Sequence, residues 1–412
     1  MAAQTPIPIY GQQETFYVPQ VAVYLGGKEL QDNVISDILQ VTYKDSVNEI
    51  DNFSIEINNW DADKRTFKFV PPLKDATEDY SGVFDPGASI ELWMGYQNNM
   101  RQMMRGQVTS LAPVFSESAA PTLTISGLNE LHQFRTEQHT RSWLDGKMTD
   151  TQIATQLCTL PVQKGQAGLG IGIPSTNPSP NEMPAAFVYM NNQYDIVFIL
   201  ELARRNGYEV YIDGYDGSGK PILYFGLSQS NALAPVYELE WGKSLISFKP
   251  TLSTAKQIST VTVRGWDRTS NTVIEVSYTL QQLWKSQNKS ATEIARLTQI
   301  AQAYGNRTEV ITDKPVHTTK EAQELARATL ENQSNKLIEA TGSTVGLPDL
   351  RAGCALTIIG FGITTGRQGQ LTGAGSAFDG QYYVTETAHT IGNSGYQTEF
   401  SARRLGPVTA NS

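Results

Sequence analysis

The closing stretch of the chain constrains its fold more than any other part of the sequence. Side chains from Tyr383 to Thr390 alternate in character with a period of two, which is typical of a strand with one buried and one solvent-facing side. Residues 392–395 read Gly-Asn-Ser-Gly, a composition that tolerates positive φ and lets the chain reverse. A second strand over residues 396–403 then returns beside the first, so the sequence predicts a closing β-hairpin.

Length and composition bound what the rest of the chain can be. The 412 residues leave room for two or three domains, each able to bury its own core. No run of about 18 apolar residues occurs, and the first residues lack the pattern of a secretory signal, so we expect no membrane insertion. Cys158 and Cys354 lie in separate apolar segments and are predicted to be buried thiols.

The charge balance excludes one class of partner. The formal net charge is −9, whereas a sequence-specific nucleic-acid binder usually carries a basic stripe. We therefore expect no sequence-specific nucleic-acid binding. The net negative charge is compatible with a channel surface past which nucleic acid or cargo moves without binding.

Residues 1–130 are predicted to form a first β-barrel. Short apolar or alternating segments follow one another, separated by turn residues and without intervening helices, at 21–25, 38–43, 53–57, 89–94, 106–111 and 122–126. Strands at this spacing favour a barrel or a sandwich. Residues 59–78 are too charged and too broken by proline for a core strand, so we expect a long loop that reaches a neighbouring molecule.

Residues 131–250 are predicted to form a mixed α/β middle domain. A capping-box pattern opens a helix over residues 149–160. A second helix, over residues 195–205, is apolar nearly all round and ends at Asn-Gly, so it should be buried. Strands over 208–212 and 222–225 are predicted to pair as a hairpin.

Residues 251–412 are predicted to form a second β-barrel with two inserted helices, at residues 290–304 and 318–335. Both helices open with capping boxes. Strand patterns cover residues 258–263, 272–278, 337–341 and 354–359, ahead of the closing hairpin. The Gly-rich residues 360–375 are expected to be an exposed loop. The predicted fold class is therefore β-rich α+β, with two barrels, a mixed α/β segment and a helix pair.

The sequence contains no motif that predicts catalysis or metal binding. Its four histidines, at positions 132, 139, 317 and 389, are scattered, without a His-Glu-x-x-His motif or a Cys/His cluster. Residues 342–346 resemble a nucleophile elbow with Thr in place of Ser, but no helix is predicted to follow. We therefore predict no enzymatic activity, cofactor or metal.

Two further motifs only partly match ligand-binding loops. The Gly-rich residues 165–170 lack the Lys-Ser/Thr ending of a phosphate loop. Residues 213–219 resemble a calcium loop, but Tyr215 and Gly217 stand where oxygen ligands belong. The hairpin interpretation is favoured over calcium binding.

Several stretches, taken in order, resemble the phage late control protein D family. They are residues 85–96, 104–108, 113–115, 123–132, 261–267, 348–353 and 380–404. Members of this family are trimeric baseplate hubs of contractile tails, and the same fold forms the N-terminal part of type VI secretion VgrG spike proteins. Each stretch consists largely of turn glycines and of alternating apolar and polar residues, so the resemblance depends on the order of the stretches along the chain.

The resemblance implies a structural function. Each subunit would carry two tail-tube-like barrels, so a homotrimer would present six barrel positions to a sixfold tail tube and seat a threefold spike on its other face. The implied partners are further copies of the chain, the tail tube protein, a spike protein and other baseplate components. Because no spike domain follows Arg404, the spike is expected to be a separate polypeptide.

The resemblance also implies assembly in the bacterial cytoplasm into a phage virion or a phage-tail-like particle. Phage tail, tailocin and extracellular injection system all fit it. Two alternatives of other classes stay open, a cell-wall hydrolase and a carbohydrate-binding β-sandwich protein. The hydrolase would need a carboxylate pair or metal site that the sequence does not reveal.

Four residues are predicted to lie at interfaces of such a hub. Trp60 and Asp61 belong to the charged loop, and Trp266 and Asp267 end a predicted strand. For each Trp, packing in a core is the alternative interpretation.

Overall fold

A computed structural model describes most of the chain. The described residues are 7–8, 18–47, 49–69, 84–97, 99–117, 119–135, 137–144, 146–160, 171, 175–180, 182–185, 187–216, 220–228, 235–255, 257–267, 270–287, 291–302, 305, 307–312, 316, 318–362, 364–365, 371–372, 376 and 378–407. They are mostly β-structure built around one large, largely antiparallel sheet.

The described residues of the first third form mainly strands, as the turn spacing predicts. Its elements are β1 (Ile7–Pro8), β2 (Pro19–Leu25), β3 (Lys28–Glu29), α1 (Asp32–Ile35), β4 (Ile38–Ser46), β5 (Asn52–Asn58), β6 (Trp60–Asp61), β7 (Thr66–Phe67), β8 (Ser89–Tyr96), β9 (Asn99–Val114) and β10 (Thr122–Asn129). The predicted alternation in β5 is confirmed, because Phe53, Ile55 and Ile57 are buried while the residues between them are not.

The middle of the chain mixes helices and strands. A 3₁₀ helix (Glu130–Arg135) leads into β11 (Gln138–Trp143), α2 (Asp150–Thr159), β12 (Ser175–Asn177), β13 (Val188–Tyr194), α3 (Asp195–Asn206), β14 (Tyr208–Tyr215) and β15 (Pro221–Leu227). The Thr149–Gln152 capping box is present. Gly207 ends α3 in the left-handed conformation at φ 69°, where a residue without Cβ pays little strain. The predicted pairing of β14 with β15 is confirmed.

The described residues of the last third form further strands and three helices. They are β16 (Tyr237–Glu240), β17 (Leu245–Leu252), β18 (Thr260–Asp267), β19 (Thr272–Thr279), α4 (Leu280–Ser286), α5 (Ala291–Gln302), β20 (Thr308–Ile311), α6 (Thr319–Ser334), β21 (Ile338–Val345), β22 (Ala355–Ile359), β23 (Thr364–Thr365), β24 (Leu371–Thr372), β25 (Gly380–Gly392) and β26 (Gly395–Pro407). The closing hairpin and both predicted helices are present. The sequence interpretation missed α4, whose Thr279–Gln282 capping box opens only seven helical residues.

One sheet joins the two ends of the chain. Its order is β1-β16-β22-β25-β4-β5-β10-β9-β8-β2-β3, and β26, β21 and β17 continue from β25 on a branch. Strand β25 is long enough to have two successive partners besides β26. Its first part pairs with β22, and its second part, from Glu386 to Gly392, pairs with β4. Strands from the two outer thirds therefore share a single hydrogen-bonded ladder.

Four main hydrophobic cores lie beneath these elements. One fills the space under β4, β5, β8, β9 and β10, and a second lies under β16, β21, β22 and the closing hairpin. The middle segment has its own core around α2 and α3. A fourth core holds α4 and α6 against the small sheet β19-β18-β20.

Two predicted loops differ from expectation or fall partly outside the described residues. In the predicted loop 59–78, β6 pairs with β7, because Trp60 packs edge-on against Phe67 at 5.5 Å. Residues 70–83 lie outside the described residues. Most of the Gly-rich stretch 360–375 also lies outside them, although β23 and β24 pair within it. Among the described residues, no helix is long and apolar enough to cross a membrane.

We expect Gly346→Ala to lower the free energy of unfolding by about 1–3 kcal/mol. A Cβ at this buried position would overlap the ring of Tyr396 on the closing hairpin. The matched control is Gly392→Ala, whose Cβ would meet only ordinary contacts, the nearest being 3.4 Å from the Leu39 carbonyl oxygen. Urea denaturation of both variants tests this, and equal stabilities would contradict it.

Candidate functional site

The large sheet presents one continuous polar side, which we name the open polar face. Across six neighbouring strands one row of paired positions carries only hydroxyl and amide side chains: Gln397, Thr390, Thr42, Ser54, Ser126 and Ser110. The next row reads Ser247, Ser343, Glu399, Ala388, Lys44, Asn52, Leu128 and Gln107, and the row after it includes Lys249, Thr341, Ser401, Glu386 and Ser46. Because strand side chains alternate, the other side of the same strands forms the apolar cores.

The open polar face includes a shallow groove of about 460 Å³. Both signs of charge line it, with Lys44 and Lys249 opposed by Glu386 and Glu399. Small hydroxyl side chains of β17, β21 and β26 fill the space between these charges. Such a surface offers weak polar contacts and no deep apolar pocket.

The turn between β21 and β22, residues 346–353, is held from several sides, and we name it the pinned turn. The Tyr96 hydroxyl donates to the Gly346 carbonyl oxygen at 2.9 Å, and the Leu347 N–H donates to Thr398 Oγ1 at 3.0 Å. His389 Nε2 lies 2.9 Å from the Leu350 carbonyl oxygen. Residues from β8, β25 and β26 thus fix one turn.

Arg351 forms the more buried of two ion pairs of the pinned turn, the other being Asp349 with Arg101. Its Nε donates to Asp45 Oδ2 at 2.6 Å, and its Nη2 donates to the Tyr43 hydroxyl at 2.5 Å and the Met103 carbonyl oxygen at 3.0 Å. Thr387 also donates to Asp45, which is 6% exposed. A buried charge needs such a partner, because desolvation of an unpaired carboxylate costs several kcal/mol.

A second carboxylate lies beside this ion pair. Burial, and then the nearby charge of Asp45, raise the pKa of Asp51 to about 7. Asp51 accepts hydrogen bonds from Asn129 Nδ2 at 2.9 Å and from the Tyr43 hydroxyl at 3.3 Å. The hydrogen bonds and Arg351 favour the ionised form but do not outweigh burial.

His389 is held in its neutral form. Burial lowers its pKa to about 4. Its Nδ1 lies 2.9 Å from the Tyr396 hydroxyl and 3.1 Å from Thr398 Oγ1. Because Nε2 faces a carbonyl oxygen, which can only accept, the ring must carry its proton on Nε2.

A cavity of about 270 Å³ lies where the pinned turn meets the middle segment. Its lining includes Asp45, Gln102, Tyr211, Asp213 and Arg351. Two further contacts join the closing hairpin to β14. The Tyr383 hydroxyl donates to Glu209 Oε2 at 2.5 Å, and Arg403 Nη2 donates to Glu209 Oε1 at 2.9 Å. The closing hairpin therefore connects the large sheet to β14.

The four predicted interface residues occupy two separate places. Trp60 is half-buried against Phe67, and Phe67 in turn contacts the exposed Phe115 at 5.1 Å. The Asp61 carboxylate accepts hydrogen bonds from the backbone N–H groups of the turn that follows, and the bond from Lys64 lowers its pKa most. The sequence predicts a long charged loop that reaches a neighbouring molecule, and in the structure this carboxylate organises a tight turn at the start of that stretch.

Trp266 and Asp267 lie on the small sheet β19-β18-β20, away from β6. Trp266 is 48% exposed and pairs across the strands with Val273. Asp267 Oδ1 accepts a hydrogen bond from the Ser270 N–H. The structure brings Trp60 together with Asp61 and Trp266 together with Asp267, and it places the two pairs in different sheets.

The catalytic motifs weighed in the sequence have structural explanations here. Thr344, at the centre of the elbow-like stretch, is buried in β21 and donates to the Ser244 carbonyl oxygen at 2.8 Å. His139 faces Asp195 at 3.3 Å. Within the described part of the chain, no group of three or more His, Cys, Asp or Glu side chains could hold a metal ion.

Sequence reasoning missed the buried polar residues of the pinned turn. In the sequence, residues 348–353 contribute only to the family resemblance, and Asp45 lies just beyond the predicted strand over residues 38–43. The signal that could have found them is Asp45 itself. Val41, Tyr43 and Asp45 are alternate residues of β4, and all three are buried. A carboxylate at such a position requires a cationic partner.

Comparison with solved structures identifies the fold. The prophage MuSo2 43 kDa tail protein from Shewanella oneidensis is similar over 94% of this chain and 98% of its own, with a TM-score of 0.62 and 16% identity. The tail protein from Neisseria meningitidis MC58 is similar over 94% and 97%, with a TM-score of 0.59 and 15% identity.

A third structure is a type VI secretion system component from E. coli, described as structurally similar to the T4 bacteriophage tail proteins gp27 and gp5. It covers 94% of this chain and 80% of its own, with a TM-score of 0.54 and 11% identity. The chain therefore shares the fold of phage and type VI tail proteins.

Comparison of the sequence with family models gives one match, over residues 16–393, to the model described as "Alg8 N-terminal domain". No curated protein matches the sequence.

We expect Arg351→Met to lower the free energy of unfolding by about 3–5 kcal/mol, because it leaves the buried Asp45 without its cation. The matched control is Arg264→Met, which removes an exposed pair with Glu275 and should cost less than about 1 kcal/mol. Denaturant unfolding of both variants measures the difference. Similar losses would show that the Arg351–Asp45 pair does not stabilise the fold.

We expect His389 and Asp51 to make the free energy of unfolding depend on pH in opposite directions. The His389 pKa falls from 6.5 to about 4, so its contribution is complete above pH 6.5 and is lost as the pH falls toward 4. The Asp51 pKa rises from 3.8 to about 7, so its contribution is complete below pH 3.8 and is lost as the pH rises toward 7. Each is worth on the order of 3–4 kcal/mol.

Unfolding in urea, followed between about pH 4 and 7, tests these two contributions. The stability of Asp51→Asn should rise with pH, that of His389→Gln should fall, and the unmodified chain should vary less than either. If the stability of the unmodified chain changed with pH as steeply as that of one variant, the two contributions would not oppose each other and the prediction would be wrong.

Proposed function

The chain belongs to the family described as the Alg8 N-terminal domain, and we propose that it is the structural baseplate hub of a contractile phage tail or phage-tail-like injection system. In this proposal it forms a homotrimer that adapts a sixfold tail tube to a threefold spike. The observation that carries the proposal is the single sheet shared by the two outer thirds, with its open polar face.

The open polar face has the properties of a channel wall. It spans many strands, and its small hydroxyl side chains and mixed charges give passing nucleic acid or protein no strong attachment. The buried cores lie on the other side of the same strands. A ring with this face inward would therefore line its channel with polar groups and keep its cores away from the channel.

Two edges of the sheet, one on the branch and one at β2, support a ring as well. On the branch, residues 246–252 of β17 have β21 on one side and no described strand on the other. At the other end, among the described residues, β2 pairs beyond β8 only through Tyr24 and Leu25, with the short β3. Edge strands of this kind can pair with another chain, and different edges at the two ends favour head-to-tail closure.

Two sheet halves per chain fit the symmetry of such an adapter. Residues 1–130 and 251–412 would each supply one tube-like barrel, so three copies would offer six positions to a sixfold tube. Residues 131–250 would form the middle domain between them. The partners would be the tail tube protein, a spike protein and other baseplate components, and assembly would take place in the bacterial cytoplasm.

The proposal assigns no catalytic residue and no cofactor, because the hub acts through geometry. Trp60, Asp61, Trp266 and Asp267 remain its predicted interface residues. Their exposed neighbours Phe115 and Val273 would share these contacts.

The test is the mass of the purified chain in solution, with negative-stain imaging of the same sample and co-purification with tube and spike proteins from the same gene cluster. We expect a threefold ring with a central channel that retains both partners. A monomer that stays monomeric with tube and spike present would overturn the proposal. Assays on peptidoglycan and on glycan arrays then distinguish the hydrolase and carbohydrate-binding alternatives.

A further inference from the structure

The cavity between the pinned turn and the middle segment brings together all three parts of the chain. Its walls come from β4 and the loop after it, from β9, from β14 and from the pinned turn. Its volume of about 270 Å³ is enough for several waters or for one small organic molecule. Asp45, Asp51 and Tyr211 are 6%, 7% and 8% exposed, whereas Asp213 is exposed, so the cavity reaches the surface beside Asp213.

Tyr211 of β14 brings an unused hydroxyl to this cavity. Its ring stacks on Tyr224 at 4.9 Å, and the Tyr224 hydroxyl donates to the Leu227 carbonyl oxygen. The Tyr215 hydroxyl accepts from the Arg105 N–H at 2.7 Å. The Tyr211 hydroxyl has no hydrogen-bond partner among the described residues, although this side chain is buried and lines the cavity. Since buried hydroxyls are nearly always hydrogen-bonded, this one needs a partner inside the cavity.

Gly353 of the pinned turn leaves the space beside this hydroxyl open. It also lines the cavity, and it adopts the left-handed conformation at φ 92°. A Cβ at this position would lie 3.0 Å from Cζ and 3.1 Å from the hydroxyl oxygen of Tyr211. The unused hydroxyl therefore lies where the middle segment faces the pinned turn.

The charges around the cavity do not balance. Arg351 and Asp45 compensate each other in their 2.6 Å ion pair. Asp51 and Asp213 also line the cavity, and neither has an ion-pair partner among the described residues. Partial burial raises the pKa of the Asp213 carboxyl, and no positive charge in the described part of the chain lowers it. A further anion would be repelled here, whereas a cation would be attracted.

The chemistry of the lining selects the kind of cation. No three His, Cys, Asp or Glu side chains of the described residues converge as metal ligands, so a metal ion does not fit. An ammonium group fits, because it carries three hydrogen-bond donors and no acceptor. Tyr211 and Asp213 offer it two acceptors from one wall, since both line the cavity and lie two residues apart on β14.

We propose that this cavity binds the primary ammonium group of a small organic cation, with the Asp213 carboxylate and the Tyr211 hydroxyl as acceptors. Free polyamines and lysine side chains both carry this group. Bound there, the cation would join β14 to the pinned turn and stabilise the attachment of the middle segment. The inference does not depend on the proposed trimer.

The test is calorimetric titration of the full chain in about 0.15 M salt, which screens nonspecific attraction between exposed charges. The probes are 1,4-diaminobutane for a free polyamine and N-acetyl-lysine methylamide for a lysine side chain. We expect saturable binding of at least one amine, and the one that binds more tightly identifies the source. Tetramethylammonium has the same charge as the lysine probe but no N–H donor, so it should bind at least about tenfold more weakly.

Three results of this titration would overturn the inference. The first is that neither amine binds, in which case the cavity holds only water. The second is that tetramethylammonium binds as tightly as the amines, because charge alone would then explain the attraction. The third is that butyrate binds and the amines do not, because the cavity would then be a site for anions.

Two substitutions locate the bound amine. Asp213→Asn and Tyr211→Phe should each weaken amine binding by about tenfold, because each removes a hydrogen bond to a charged group. Both should leave the fold intact, since Asp213 is exposed and Phe keeps the ring that stacks on Tyr224. Asp63→Asn is the matched control, because it removes an exposed carboxylate outside the cavity and should leave the affinity unchanged.

The variants can also overturn the inference. If Asp63→Asn weakened binding as much as Asp213→Asn, the overall negative charge of the chain would hold the amine. If neither Asp213→Asn nor Tyr211→Phe changed the affinity, the amine would bind outside this cavity. Circular dichroism of each variant checks that its fold is retained.

Discussion

The buried ion pair between Arg351 and Asp45 is the interaction on which the architecture depends most. Asp45 belongs to β4 in the first third of the chain, and Arg351 belongs to the pinned turn in the last third. The same guanidinium also reaches Tyr43 and the backbone of β9. Because desolvation cancels much of the attraction of a buried ion pair, its main effect is to exclude other arrangements of these elements.

The sequence predicts the local structure well wherever alternation and turn chemistry act together. The closing hairpin follows from its period of two and its Gly-Asn-Ser-Gly turn, and the helix starts at Thr149 and Thr318 follow from capping boxes. It could not predict that β25 changes partner from β22 to β4. That change coincides with a register shift between Val384 and Glu386, which depends on both neighbouring strands and leaves no local pattern.

The candidate site was much less accessible to sequence reasoning than the fold. A hydroxyl-rich sheet face appears only when the strand order is known, because Thr42, Ser54 and Ser126 are ordinary polar positions of three separate strands. The exposure of Trp266 could be suggested by its place at a strand end, but the side chain that opposes it could not. Polar partners more than 300 residues apart, such as Arg351 and Asp45, are set by tertiary packing alone.

The pairing of β4 with β25 also sets the order in which the chain can fold. The middle segment and the small sheet with its helices form their cores from residues close in sequence, so they can fold early. Strand β4 must wait for a partner that is synthesised more than 300 residues later. Until then its edge is unpaired, and that edge is where a nascent chain would aggregate or recruit a chaperone.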